Sequence, residues 1–154
     1  MTDTIDARLA ARGITLPDAP PPAANYVPFV VTGDLVFVSG QISMDTSGLI
    51  RGKLGHDMTV EDGRRAAETC AISLLAQVRA ACGGDLSRLD RVVKLNGFVN
   101  CTPDFTDQPE VINGASDFLV EIIGEGGRHA RAAVGAPSLP RGVAVEIEGI
   151  FRIR

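Results

Sequence analysis

The segment Val143-Ala144-Val145-Glu146-Ile147-Glu148-Gly149-Ile150-Phe151-Arg152-Ile153-Arg154 decides how the chain folds. Val143, Val145, Ile147, Phe151 and Ile153 alternate with Glu146, Glu148, Arg152 and Arg154, the period-two pattern of a strand with one face on a core and the other carrying charge. Ala144 and Ile150 interrupt the charged side, which leaves that face too apolar to sit wholly in water and invites oligomerisation. Just upstream, Ala130 to Gly135 reads as a further strand, set apart from the last one by Pro137 and Pro140.

Working towards the N-terminus, two amphipathic helices supply the cover for the apolar face. Asp107 to Ile123 places Val111, Ala115, Phe118, Leu119 and Ile122 on one side, tolerates Pro109 in its first turn, and closes at Gly124 and Gly126-Gly127. Thr59 to Gly83-Gly84 carries Ala67, Cys70, Ala71, Leu74, Val78 and Ala81 at spacings of three and four, with Thr59 as cap and Glu61 and Asp62 at the positive end of the dipole. Val92 to Val99 is a strand between them. Phe29–Thr32 and Leu35–Ile42 form an antiparallel pair around Gly33-Asp34, followed by a turn at Asp45–Gly48 and a short strand at Leu49–Lys53. The order predicts an α+β domain, a mixed sheet with two helices packed on one face. Residues 1–24 are expected to be a weak helix and a proline-rich extended arm ahead of the domain at 25–154.

Composition narrows the function. The chain has 154 residues, 45% of them hydrophobic, and fifteen Lys and Arg against nineteen Asp and Glu give a net charge of -4, a poor match to nucleic acid or an anionic membrane. No apolar run approaches the ~20 residues of a membrane span. The acidic opening Met1-Thr2-Asp3-Thr4-Ile5-Asp6 lacks the features of an export signal, so a cytoplasmic location is expected. Cys70, Cys82 and Cys101 are widely spaced, and with only His56 and His129 beside them no metal site and no cofactor is expected. Dinucleotide and phosphate-binding loops and the G-x-S-x-G elbow are absent from the sequence. Cys70 reads as core packing, and His129 as a surface or internally satisfied side chain.

Arg131 stands apart, a guanidinium on a strand among Ala130, Ala132, Ala133 and Val134. Two readings are open from the residues alone: an internal ion pair with Glu146 or Glu148 on a neighbouring strand, or a fork of donors offered to a ligand carboxylate.

Four stretches bear on that choice. They are Tyr26 with Phe37-Val38-Ser39-Gly40-Gln41-Ile42, then Asn96-Gly97-Phe98-Val99, then Phe105 with Val111-Ile112-Asn113, and last Arg131-Ala132-Ala133-Val134 with Leu139-Pro140 and Val145-Glu146-Ile147-Glu148. Together they resemble the Rid family, the reactive intermediate imine/enamine deaminases also called YjgF/RidA or L-PSP, over Tyr26 to Arg154. The resemblance implies a chorismate-mutase-like α+β fold, a homotrimer with ligand clefts between subunits, and hydrolysis of 2-imino or enamine acids of the 2-aminoacrylate type to 2-keto acids and ammonia. By that resemblance Arg131 holds the substrate carboxylate and Glu146 serves the attacking water, while Tyr26, Ser39, Gly40, Asn113 and Ala133 line the cleft, Gly40 through its backbone amide. The implied partners are a small carboxylate or imino-acid ligand and two further copies of the chain, with no nucleic acid and no membrane.

The residues themselves carry plainer readings: Tyr26 as an anchored aromatic, Asn113 as helix surface, and Ser39-Gly40 as a strand bulge. Ala133 stands where many members of the family have Cys. The longer arm and the enlarged Gly124–His129 connection suggest a divergent branch. A trimeric module that binds small carboxylates without turnover is the alternative function, and an endoribonuclease ranks last, because a single Tyr and no Trp offer no stacking platform.

Overall fold

The computed structural model describes residues 3–19 and 25–154; Pro20, Pro21 and Pro22 of the expected arm lie outside them. In chain order the elements are α1 (Ile5–Ala11), β1 (Phe29–Thr32), β2 (Leu35–Ile42), β3 (Met44–Asp45), β4 (Gly48–Leu49), α2 (Val60–Ala81), β5 (Leu89–Asn100), α3 (Gln108–Ile123), β6 (Ala130–Ala136) and β7 (Val145–Ile153). The main sheet runs β1-β2-β7-β5-β6, antiparallel throughout except for the parallel pair β5 and β6. A parallel pair needs a long crossover, and α3 supplies it.

In β7 Val145, Ile147, Gly149, Phe151 and Ile153 are buried and Glu146, Glu148, Ile150 and Arg152 alternate with them, as the period of the sequence predicts. The helices α2 and α3 lie on the buried face, where Leu74, Leu75, Phe118, Leu119 and Ile122 pack against Val92, Leu95, Val99, Ile147 and Phe151. Removing each such side chain from water stabilises the fold by roughly 1.5–3 kcal/mol. Cys70 is fully buried there, its thiol donating to the Val145 carbonyl at 3.5 Å, and burial pushes its pKa up. It is core, as its place on the apolar stripe predicts.

The helix ends follow their sequence signals. Thr59 Oγ1 accepts from the Asp62 amide at 3.1 Å and the Asp62 carboxylate accepts from the Thr59 amide, a capping box, while Gly83 and Gly84 take φ of +67° and +94° past the last turn. Where α2 and α3 cross, the α-carbon of Gly114 lies so close to the carbonyl of Arg64 that a Cβ there would overlap the oxygen. Only glycine allows that approach.

The seven residues of α1 are too few to be stable alone, and the fold holds them by contacts with α2 and α3. Leu9 is buried, Arg8 donates to the Ile122 carbonyl at 3.0 Å, and Arg12 pairs with Glu68 and Glu121 while lying 5.6 Å from the centre of the Phe118 ring. Arg79 of α2 donates to the carbonyls of Leu16 and Pro17, so the chain after α1 is also fastened down.

One element departs from expectation. The strand expected at Leu49–Lys53 is replaced by a separate two-residue hairpin of β3 and β4 outside the main sheet. β4 stops at Leu49, Gly52 takes a φ of +150°, and of the remaining residues only Arg51 pairs, in an isolated bridge to Val143.

Candidate functional site

Arg131 lies on β6, the edge strand, in register with Leu95 of β5. Its side chain turns to the helix face and is half-buried against α3, where Nη1 donates to Ser116 Oγ at 3.0 Å and Nη2 to the Pro109 carbonyl at 3.3 Å. Pro109, Asn113 and Ser116 are spaced four and three apart on α3 and therefore share one helix face, which places Asn113 between the two groups that hold the guanidinium. Asn113 is half-buried rather than a freely exposed surface residue.

Among the described residues no carboxylate lies within ion-pair distance of Arg131. The internal ion pair with Glu146 or Glu148 is therefore excluded within one protomer, and the topology gives the reason. β5 intervenes between β6 and β7, Glu146 pairs with Phe98 and Glu148 with Asn96, and both carboxylates belong to the opposite face of the sheet. Two strand spacings amount to roughly 10 Å before the change of face is counted. Two of the five guanidinium N–H groups are used on neutral acceptors, which leaves three for a ligand.

Glu146 has its own neighbourhood. Between Val38 and Gln41 the register of β2 on β7 shifts, so that Ser39 and Gly40 together stand opposite the single residue Glu148. This is a bulge, in agreement with the plainer reading of Ser39-Gly40, and it brings Gly40 against the Glu146 side chain. A Cβ at Gly40 would stand 2.5 Å from Glu146 Oε1. Ser39 Oγ donates to the Val27 carbonyl at 2.8 Å and the Ser39 amide to that of Pro28 at 2.9 Å, which fastens the segment carrying Tyr26 beside the bulge. Tyr26 itself is 56% exposed. Partial burial, and then the nearby Glu148 carboxylate, raise the pKa of Glu146 above the ordinary carboxylate range.

The expected site residues thus fall into two groups. Ser39, Gly40 and Glu146 meet at the bulge, with the segment that carries Tyr26 fastened beside it through Val27 and Pro28, whereas Arg131 and Asn113 lie at the β6 edge beside α3. Ala133 is half-buried, in register with Gly97, and packs against the core on the Arg131 side. Sequence reasoning missed Ser116 and the Pro109 carbonyl, and it left His129 without a partner. His129 Nδ1 lies 2.6 Å from the Gly127 carbonyl and Nε2 2.8 Å from Ser116 Oγ, so the ring is satisfied internally; burial first, and Arg131 in part, lower its pKa. A cavity of about 350 Å³ opens at the ends of β5 and β6, lined by Cys101, Thr102, Phe105, Gln108, Gly135 and Pro137. Among the described residues no three His, Cys, Asp or Glu side chains are grouped to hold a metal ion.

Comparison with known proteins gives this arrangement its context. Residues 6–147 match the family model described as "YjgF/chorismate_mutase-like, putative endoribonuclease". Protein TCP17 of Trypanosoma cruzi is 48% identical over 151 residues, covering 97% of this chain and 94% of that protein. A 2-iminobutanoate/2-iminopropanoate deaminase of Dermatophagoides farinae is 30% identical over 144 residues, covering 92% and 96% of the two chains. The crystal structure of Atu1372 from Agrobacterium tumefaciens, a protein of unknown function, superimposes with a TM-score of 0.92 at 51% identity over 99% of this chain and 94% of that one. The crystal structure of E. coli TdcF with bound serine superimposes with a TM-score of 0.63 at 28% identity, over 88% and 93%. With its mixed sheet, its helices on one face and a family model matched across most of its length, the chain belongs to the YjgF/RidA family.

Proposed function

We propose that the protein hydrolyses small 2-imino or 2-enamine acids to 2-keto acids and ammonia, in clefts formed where the β6 edge of one protomer meets the bulged face of the next in a homotrimer. The observation that carries this reading is the state of Arg131: half-buried, held by a hydroxyl and a carbonyl, and free of any carboxylate among the described residues. A guanidinium in that state is matched to a planar carboxylate, and each charge-assisted hydrogen bond to it contributes on the order of 1.5–3 kcal/mol. Relatives named as 2-iminobutanoate/2-iminopropanoate deaminases and the serine bound by TdcF agree with a small amino-acid-like ligand.

The separation of the two groups of residues supports assembly across protomers. No ligand of a few carbons reaches from Arg131 to Glu146 in one chain, because they lie on opposite faces of the sheet. The helix-free face also exposes Val30, Phe37 and Val134, which water does not favour. A second protomer that covers this face brings its own Arg131 towards Glu146, Gly40, Ser39 and Tyr26.

The chemistry then needs little beyond placement. Enamine substrates tautomerise to the imine. Arg131 fixes the carboxylate, and Glu146 takes a proton from water as the oxygen lone pair forms the C–O bond and the C=N pair moves to nitrogen. Glu146 returns that proton to nitrogen, giving a carbinolamine with an –NH2 group; it then carries the hydroxyl proton to the same nitrogen as the O–H pair forms C=O and the C–N bond breaks, so that NH3 leaves and the 2-keto acid remains. The raised pKa of Glu146 suits a group that both accepts and returns a proton.

The test is 2-keto acid release from 2-iminobutanoate generated in situ, measured above the uncatalysed rate, with wild type and Arg131→Ala compared. Acceleration by the wild type alone supports the reading. Binding of 2-oxobutanoate through Arg131 with no acceleration would assign the protein to the alternative, a trimeric carboxylate-binding module.

A further inference from the structure

The guanidinium of Arg131 is held by more than a single contact, and the polarity of the contacts around it is determined. The Gly127 carbonyl can only accept, so His129 Nδ1, 2.6 Å away, carries the proton. A neutral ring then has an acceptor at Nε2, and the Ser116 hydroxyl at 2.8 Å must donate to it. With its hydrogen committed to His129, Ser116 Oγ presents lone pairs, and Arg131 Nη1 donates into one of them at 3.0 Å. With the ring neutral, every donor in the chain Arg131 to Ser116 to His129 to Gly127 has one acceptor, whereas the other tautomer would set a bare Nδ1 against the Gly127 carbonyl, two acceptors facing each other. His129 is half-buried in a wall of α3 and the Gly124–Gly127 turn, which favours the neutral ring.

We propose that Ser116 and His129 are positioning residues that hold the Arg131 guanidinium in one orientation, with the Pro109 carbonyl as the second restraint, so that its remaining N–H groups face a ligand carboxylate. This rests on the reading of Arg131 as the carboxylate clamp. Without the chain, the Arg131 side chain must be ordered when the ligand arrives, and that entropy is subtracted from binding. The sequence feature responsible is the Gly124–His129 connection: its short 3₁₀ turn places the Gly127 carbonyl at the ring and starts β6 one residue before Arg131.

The prediction concerns binding more than chemistry, since a carboxylate held equally in ground and transition states affects KM and leaves kcat nearly unchanged. Ser116→Ala, a change that favours a helix, should keep the melting temperature and oligomeric state. It should raise the Kd for 2-oxobutanoate by calorimetry and the KM for 2-iminobutanoate by about tenfold, with kcat within about twofold. Ser116→Thr, which retains the hydroxyl, should restore both. In long-range ¹H–¹⁵N spectra of the wild type, His129 should be neutral with its proton on Nδ1 and with Nε2 accepting a hydrogen bond that Ser116→Ala removes. A proton on Nε2, or wild-type Kd and KM in Ser116→Ala, overturns the proposal. Loss of 2-oxobutanoate binding in Arg131→Ala beside an unaffected Ser116→Ala would refute the chain and leave the clamp standing, whereas retained binding in Arg131→Ala would refute the clamp itself.

Discussion

Glu146 leans on Gly40: the carboxylate oxygen Oε1 occupies the space where any side chain at position 40 would begin. The position does not require positive φ, so alanine meets no backbone strain and the obstruction is the mobile end of one carboxylate. Gly40→Ala is therefore expected to fold with a melting temperature within a few degrees of wild type while pushing Glu146 aside. Its kcat for imine hydrolysis should fall at least tenfold with little change in 2-oxobutanoate affinity, a split that kinetics and calorimetry on one preparation would resolve.

Arg131→Ala should eliminate both turnover and 2-oxobutanoate binding without dissolving the fold, because the side chain contributes no ion pair to it among the described residues. Arg131→Lys keeps the charge and loses the planar fork, and severe impairment is expected there too. Glu146→Gln should instead damage turnover more than binding. Near wild-type hydrolysis by Arg131→Ala would show that the site lies elsewhere.

Glu148 is a lever on pH dependence. In the proposed reaction the ionised form of Glu146 takes a proton from water, so turnover should decline as pH falls through its pKa, which lies above the ordinary carboxylate value because of burial and then Glu148. Glu148→Gln removes the second cause and keeps an acceptor for Asn96 Nδ2, which now donates to Glu148 Oε1 at 3.4 Å. The acid limb of kcat should move to lower pH in this variant, and the ratio of variant to wild-type rates at each pH cancels the behaviour of the substrate. A limb that stays in place would exclude the coupling.

The assembly can be checked directly. Sedimentation at micromolar concentration should give a trimer, and Phe37→Asp, which puts a charge on the 42% exposed ring position of the helix-free face, should give monomers with little activity. A stable wild-type monomer would remove the proposed clefts.

Cys101 is the thiol nearest to β6: a Cβ at Gly135 would stand 2.7 Å from its Sγ, and Gln108 Nε2 lies 3.6 Å from the sulfur. It is buried, and Ala133 stands at the position that resembles the family thiol, so Cys101→Ala should leave turnover within about threefold of wild type. Loss of activity in a folded trimer would reveal a role for the thiol.

What could be read from the chain was whatever repeats with a period or sits at an end. β7 followed from its alternation, and α2 from Thr59 and Gly83-Gly84, because local sterics and capping act over a few residues. Strand order is not local. That β5 separates β6 from β7 decides that Arg131 meets no Glu146 in its own protomer, and no periodicity encodes it. Ser116 was invisible for a related reason, since a serine on an amphipathic helix is ordinarily solvent-facing and only the return of the chain through Gly124–Gly127 supplies its partners. The turn at Asp45–Gly48 was legible and β3 pairs with β4 across it, but the end of β4 at Leu49 was not, since the φ that Gly52 adopts is one the residue type permits without requiring.

The contact of Gly114 with the Arg64 carbonyl makes α3 a wedge with no slack. On one side the helix is seated against α2 by an atom-tight junction; on another it carries Pro109, Asn113 and Ser116 towards Arg131. Even one methyl at position 114 must pry the helices apart, and the helix it shifts is the one whose Ser116 hydroxyl and Pro109 carbonyl hold the Arg131 guanidinium. Under the proposed role of Arg131, carboxylate affinity therefore depends on position 114 as well, although Gly114 faces α2 and not the guanidinium.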